Sequence, residues 1–228
     1  MKFLEPMIVA FSMYSKIPMP RIEWNKENMK YTMCFFPLIG VVTGVLIYLA
    51  GMFLDGNIFP KVNSGRLMFA AVMTLIPVFV SGGIHLDGFM DTMDALGSWG
   101  DKEKKLEILK DPHCGAFAVI RLCSYFLAYF ALCTAVQFTP RTGFLWTLAL
   151  VLERALSGLA VAAFPMAKNT GLAHTFASAA DRKTVRSVLF GLAFALCAAL
   201  TVLGGWGLAL AALLVFVRYY VVSKKQFG

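Results

Sequence analysis

Polar positions divide this chain into long apolar blocks, at residues 35–54, 67–81, 116–138, 144–164, 188–203 and 206–222. A helix needs about 20 apolar residues to cross a bilayer. A membrane β-strand would alternate apolar and polar positions instead, and these blocks do not. The pattern predicts an all-α fold: a polytopic integral membrane helical bundle of about six spans. The second and fifth blocks are short. The second contains Pro77 and runs into the pair Gly82-Gly83. Broken helix ends in a membrane are tolerated where they line protein or a water cavity. Two further helices are expected outside the spans, a short one over 25–30 and an amphipathic one over 101–110. The first 20 residues carry early charge and proline and no small-x-small cleavage site, so they are expected to be a retained amphipathic segment. With no repeat and no linker, 1–228 reads as one transmembrane domain.

Composition agrees. Mean hydropathy is +0.71, 59% of residues are hydrophobic and 15% are charged, where soluble domains carry about 25% charge. A water-soluble enzyme, a disordered chain and a nucleic-acid module are thereby disfavoured. The net charge of +8 has a topological explanation. Sixteen Lys and Arg fall on one side of the predicted bundle. Only Lys61, Arg66 and Arg141 fall on the other, and Arg121 and Arg154 lie inside spans. Basic residues gather on the cytoplasmic side, so both termini are expected in the cytoplasm of a cell-membrane protein. The partner implied is the lipid bilayer, with no nucleic acid, and self-association into a homo-oligomer is left open. The five cysteines form no CxxC pair and sit mostly in apolar stretches, which suits small apolar filler better than disulfides or zinc.

The acidic residues change the picture most. Seven of the 13 lie between Asp87 and Asp111, centred on GGIHLDGFMDTMDALGS at 82–98. Asp87, Asp91 and Asp94 are spaced i, i+4, i+7. On a helix they share one face, with Leu86, Phe89, Met90, Met93 and Leu96 opposite. The segment should therefore form a short amphipathic acidic helix in the cytoplasmic loop after span two. Like charges at i, i+4 destabilise a helix by a few tenths of a kcal/mol, and a cation among them relieves this. All-oxygen ligation favours Mg²⁺, Mn²⁺ or Ca²⁺ over zinc. The competing reading is a solvated acidic face beside the lysines of DKEKKLEILKD. Placement directly after a glycine-broken span favours the metal.

Other side chains keep two readings. His85 suits a general base or a phosphate contact, but an interfacial His bonded to backbone is the favoured account. Lys104, Lys105 and Lys110 would neutralise a polyphosphate, or simply belong to a positive-inside loop. Arg154, beside Glu153 in the fourth span, is a functional candidate because intramembrane charge is costly. A structural contact or snorkelling competes.

These residues resemble those of a known family. GGIHLDGFMDTMDALGS is similar to the GG-x-HLDG-x-x-DT-x-DG signature of the cobalamin synthases, also called adenosylcobinamide-GDP ribazoletransferases. LEILKDPHCGAFAV resembles the family's LEIMKDS-x-x-G-x-x-G segment. SKIPMP at 15–20, FFPLIGVVTG at 35–44 and LERALSGLAVAAFPMAKNTGLAHTF at 152–176 match further stretches in order. Lys16 stands where the family commonly has Arg, Ala95 replaces a Gly, and Pro112-His113 replace Ser-Arg. The family pattern continues with a GG-x-TGD-x-x-GA segment, and this chain stops where that segment is expected to begin. The resemblance implies a Mg²⁺-dependent transferase that joins adenosylcobinamide-GDP to α-ribazole or its 5′-phosphate and releases GMP. On that reading Asp87, Asp91 and Asp94 bind metal. Asp94 or His85 helps deprotonate the attacking ribose hydroxyl. Lys16, Glu107, Lys110, Asp111 and Arg154 contact substrate.

Two rival classes remain. A CDP-alcohol phosphotransferase or a membrane prenyltransferase would need motifs that this chain lacks. A divalent-cation transporter would place its acids at mid-bilayer, often in two repeats, whereas these acids fall in one surface loop.

Overall fold

The computed structural model describes residues 4–57, 65–166 and 171–228. Lys2, Lys61 and Lys168 of the topology argument lie outside them. The described residues form eleven helices and no strand: α1 Glu5–Tyr14, α2 Lys26–Met29, α3 Thr32–Asn57, α4 Gly65–Ser81, α5 Ile84–Gly97, α6 Lys102–Ile108, α7 Ala116–Ala135, α8 Pro140–Ala163, α9 Leu172–Ala179, α10 Arg182–Gly204 and α11 Trp206–Phe227. By length and composition five of them, α3, α7, α8, α10 and α11, are able to cross a membrane. The sixth candidate is the bent pair α4 and α5. The all-helical membrane class is as the apolar blocks predicted.

The helices outrun the blocks where caps start them. A run of apolar residues marks what is buried, while a cap marks where backbone amides first need partners. α10 begins six residues before its block because the Asp181 carboxylate accepts the Thr184 N–H. α8 begins four residues early, with Pro140 in its first turn and a reciprocal cap between Thr139 and Thr142. The apolar blocks do not reach α9, a two-turn helix that lies between the blocks at 144–164 and 188–203.

The described chain packs into two compact units, one from Met1–Leu49 and Thr139–Phe216, the other from Ala50–Phe138 and Val217–Gly228. In the first, α10 lies along α8 over a core of Leu152, Ala155, Leu156, Leu196 and Leu200. A second cluster joins α1, α2, α9 and α10 through Val9, Met29, Phe176, Val185 and Leu189. Gly40 and Gly44 of α3 form a G-x-x-x-G pair against α8. A Cβ at Gly40 would stand 2.6 Å from the Leu150 carbonyl oxygen, and one at Gly44 would stand 2.7 Å from the Thr147 Cα. Lipid offers little hydrophobic drive for helix association, so such close backbone approach supplies the packing. Phe194 and Val202 are 71% and 81% exposed, as expected of side chains that face lipid.

In the second unit α4 ends at Ser81, and the chain turns at Gly82 (φ 63°) and Gly83 (φ 84°). Both are in the left-handed region that glycine enters without a Cβ penalty. The turn sets α5 at 95° to α4, so the Gly-Gly break of the sequence is a sharp corner. α7 packs against both α4 and α5. Ala95 and Ala118 are fully buried. Further along, the rings of Phe89 and Tyr125 meet at 5.8 Å. Lys105 of α6 donates to the Gln226 side chain at 2.5 Å, fastening α6 to the last turn of α11.

Candidate active site

The amphipathic acidic helix is α5, and its residues can be followed from the corner outward. His85 stands half-buried in the first turn. Asp87 is exposed, and Asp91 and Asp94 are partly buried. All three carboxylates lie on α5, and they do different things.

Asp94 is committed to α7. Its Oδ2 accepts the Gly115 N–H at 2.5 Å and its Oδ1 accepts the Ala118 N–H at 2.8 Å. Gly115 is the N-cap of α7 and has no side chain to offer. A helix start leaves four amides without intrahelical partners, and the negative carboxylate also suits the positive end of the helix dipole. The approach requires glycine, because a Cβ at position 115 would stand 2.7 Å from both carboxylate oxygens. CGAFAV opens an apolar helix with no Ser, Thr, Asp or Asn side chain at its cap, and here the Asp94 carboxylate supplies the missing acceptor.

Other members of the acidic cluster also serve backbone. Asp101 caps α6 by accepting the Lys104 N–H at 2.9 Å. Asp111 accepts the His113 N–H at 2.9 Å and stands 2.6 Å from its ring Nδ1. The amide first, and then the ring, hold the Asp111 carboxyl below the usual carboxylate range. Glu107 pairs with Lys104 at 2.9 Å, both well exposed, which contributes little to stability. Lys110 is exposed on the link between α6 and α7. The acids therefore divide by task. Asp94, Asp101 and Asp111 hold the peptide chain, while Asp87 and Asp91 sit one helical turn apart nearer the corner.

Lys16 and Arg154 belong to the first unit. Lys16 is exposed. Arg154 is 8% exposed, donates to Glu153 at 3.1 Å and lies 5.5 Å from the centre of the Phe36 ring. Pairing and a cation–π contact are how an intramembrane charge is usually accommodated.

Trp99 went unremarked in the sequence. It is 91% exposed and is the one described non-glycine residue with positive φ, at 55°. No sequence rule marks a Trp for that conformation.

Among the described residues, no three His, Cys, Asp or Glu side chains gather closely enough to hold a metal ion by themselves. Mg²⁺, however, commonly takes one or two carboxylates and completes its shell with water and substrate phosphates. The all-oxygen pair Asp87 and Asp91 fits that mode of binding and not a closed protein cage.

A bundle of membrane-length helices, broken at a glycine corner that presents an aspartate-rich helix, defines an integral membrane protein with a polar site on an apolar scaffold. A family model described as cobalamin-5-phosphate synthase matches residues 6–228. A relative from Lachnoclostridium phytofermentans, named adenosylcobinamide-GDP ribazoletransferase, is 44% identical over 235 residues, spanning 100% of this chain and 86% of that protein. One of the same name from Pseudomonas fluorescens is 33% identical over 98% of this chain and 89% of its own length. Another, from Clostridium perfringens, is 40% identical over 57% of this chain and 49% of its own length. No solved structure matches. The chain belongs to the cobalamin-5-phosphate synthase family.

Proposed function

We propose that this chain is a membrane transferase that joins adenosylcobinamide-GDP to α-ribazole, free or as its 5′-phosphate, with release of GMP. The observation that carries the proposal is the near full-length match to relatives named for that reaction. The aspartate-rich helix at the α4–α5 corner supplies a place for its chemistry.

A ribose hydroxyl oxygen of α-ribazole attacks the corrinoid-side phosphorus of the pyrophosphate. The new P–O bond forms as the bond to the bridging oxygen breaks, and GMP leaves with that electron pair. The hydroxyl proton passes to a base, for which His85, in the first turn of α5, is the candidate. Asp87 and Asp91, with substrate phosphates, would hold Mg²⁺, which supplies charge neutralisation at the reacting phosphoryl group. Lys110 and Asp111 of the α6–α7 link would contact the nucleotide or the metal-bound water, and Glu107 of α6 is a further candidate contact. Lys16 and Arg154 are further candidate substrate contacts, on the family resemblance. The excess of basic residues on one side supports a cytoplasmic-membrane orientation with both ends of the chain inside.

In proteoliposomes, Asp87→Ala and Asp91→Ala should each lower GMP release by more than 100-fold, on the order of a lost group that stabilises developing charge, while the helical circular dichroism stays unchanged. Chelation of divalent cations should stop GMP release, and added Mg²⁺ should restore it. Near-normal turnover in both variants would sink the assignment of those two carboxylates.

A further inference from the structure

We infer that Asp94 is a positioning residue, whose carboxylate caps α7 from outside and ties shut the excursion that carries α6 and the α6–α7 link. The inference rests on the transferase reading for its activity arm and on geometry alone for its structural arm.

In an ordinary capping box, an N-cap side chain accepts the N–H of the third helical residue, and that residue's side chain accepts the N-cap N–H. Two such reciprocal pairs occur among the described residues, Asn25 with Asn28 and Thr139 with Thr142. At α7 neither position can take part, because the N-cap is Gly115 and the third helical residue is Ala118. The Asp94 carboxylate does both tasks at once, one oxygen on the Gly115 N–H and the other on the Ala118 N–H. The cap is delivered from 21 and 24 residues away in sequence. The chain therefore leaves α5 just after Asp94, runs through Trp99, α6, Lys110 and Asp111, and returns to Asp94 at Gly115. Both ends of that excursion are fixed at one side chain. Ala95 and Ala118 bury completely beside the clamp, and Gly97 packs on the Phe117 side chain, where a Cβ would stand 2.8 Å from the Phe117 Cβ. Both Asp94 oxygens thus already answer backbone donors.

The clamp can be moved to another residue, which separates positioning from chemistry. Asp94→Ala removes the oxygens and also the atoms that forbid a side chain at position 115. Gly115 has extended backbone, φ −89° and ψ 171°, which serine adopts at helix caps. In Asp94→Ala/Gly115→Ser, the new hydroxyl can accept the Ala118 N–H. Hydrogen exchange of the protein in lipid nanodiscs and GMP release would be measured for both variants and for Asp94→Asn. In Asp94→Ala the amides at 115 and 118 should exchange roughly tenfold faster, the usual weight of a lost cap, and turnover should fall. In the double variant, protection at Ala118 and most of the turnover should return, with the pH profile of kcat unchanged. If Asp94→Ala fails to assemble, Asp94→Asn serves in its place. It keeps the shape but turns an amide donor toward backbone donors, and the same loss of protection is expected. Unchanged exchange at 115 and 118 in Asp94→Ala or Asp94→Asn would overturn the clamp. So would undiminished turnover in Asp94→Ala. Restored protection in the double variant with turnover still lost would show that Asp94 takes part in the reaction itself, and the positioning role would fall. Loss of GMP release in the unmodified protein would count against the transferase reading and leave the exchange result standing.

Discussion

Glycines along α5 and its connections give the sharpest tests at the residue scale, because the space around each one differs. A Cβ added to Gly88 meets nothing within 4 Å, and the residue is helical. Gly88→Ala should raise stability by about 0.5–1 kcal/mol, the usual gain for a helix interior, seen as a higher melting temperature in detergent. If turnover falls in the same variant, the open face beside Asp87 is space that substrate needs. A second test concerns Asp111. Its folded pKa lies below the unfolded value of about 3.9, because the His113 amide and ring favour the carboxylate. The turn is therefore fully stabilised above the unfolded pKa and is lost as the pH falls through the lowered folded one. Protection of the His113 amide, followed by hydrogen exchange against pH, should persist from neutrality to about 4 and vanish only in stronger acid. Loss near neutral pH would contradict the contact. Spacing grouped these acids, but it could not distribute them. Whether a carboxylate faces a substrate or a distant amide depends on which helix start the fold brings alongside.

At the scale of elements, two glycine positions do opposite work. Gly83 lies at φ 84° with no atom within 4 Å of an added Cβ, so Gly83→Ala meets only the backbone penalty of the left-handed region, roughly 1–2 kcal/mol. Gly40 has ordinary helical backbone, but its Cβ would press on the Leu150 carbonyl. Gly40→Ala must push α3 and α8 apart, at about 1–3 kcal/mol for an overpacked contact. Thermal melts should thus show losses for both. Only Gly40→Ala should also weaken disulfide cross-linking between cysteines placed across the α3–α8 contact. The apolar blocks located all five membrane-length helices, since burial in lipid demands continuous apolarity. They missed the starts of α8 and α10, because caps are polar and lie outside the blocks. They do not reach α9 either, because it is a short helix lying between two of the blocks.

For the whole molecule, the count of crossings decides where the ends lie. Five long helices alone would leave the two ends of this chain on opposite sides. If the bent pair α4–α5 completes a sixth crossing, the ends share a side, as the distribution of Lys and Arg predicts. Reporter fusions at the two ends should therefore report the same compartment, and opposite compartments would make the pair re-entrant. α4 has 17 residues, a length of roughly 26 Å at 1.5 Å per residue, which approaches the bilayer core of about 30 Å.

The sequence by itself determined the membrane class, the helical form of the spans, the break after α4 and the acidic face of α5. Each of these follows from local demands: backbone hydrogen bonds that must close within a segment in lipid, glycine's freedom at positive φ, and side chains spaced by helical turns. The resemblance in its motifs also indicated the family. Only the tertiary structure decided the angle at the corner, the close seating of α3 on α8 and the division of labour among the acids. Those depend on contacts between residues far apart in sequence. The Asp94 carboxylate and the Gly115 amide meet because α7 packs against α5, and no spacing rule within either segment contains that fact.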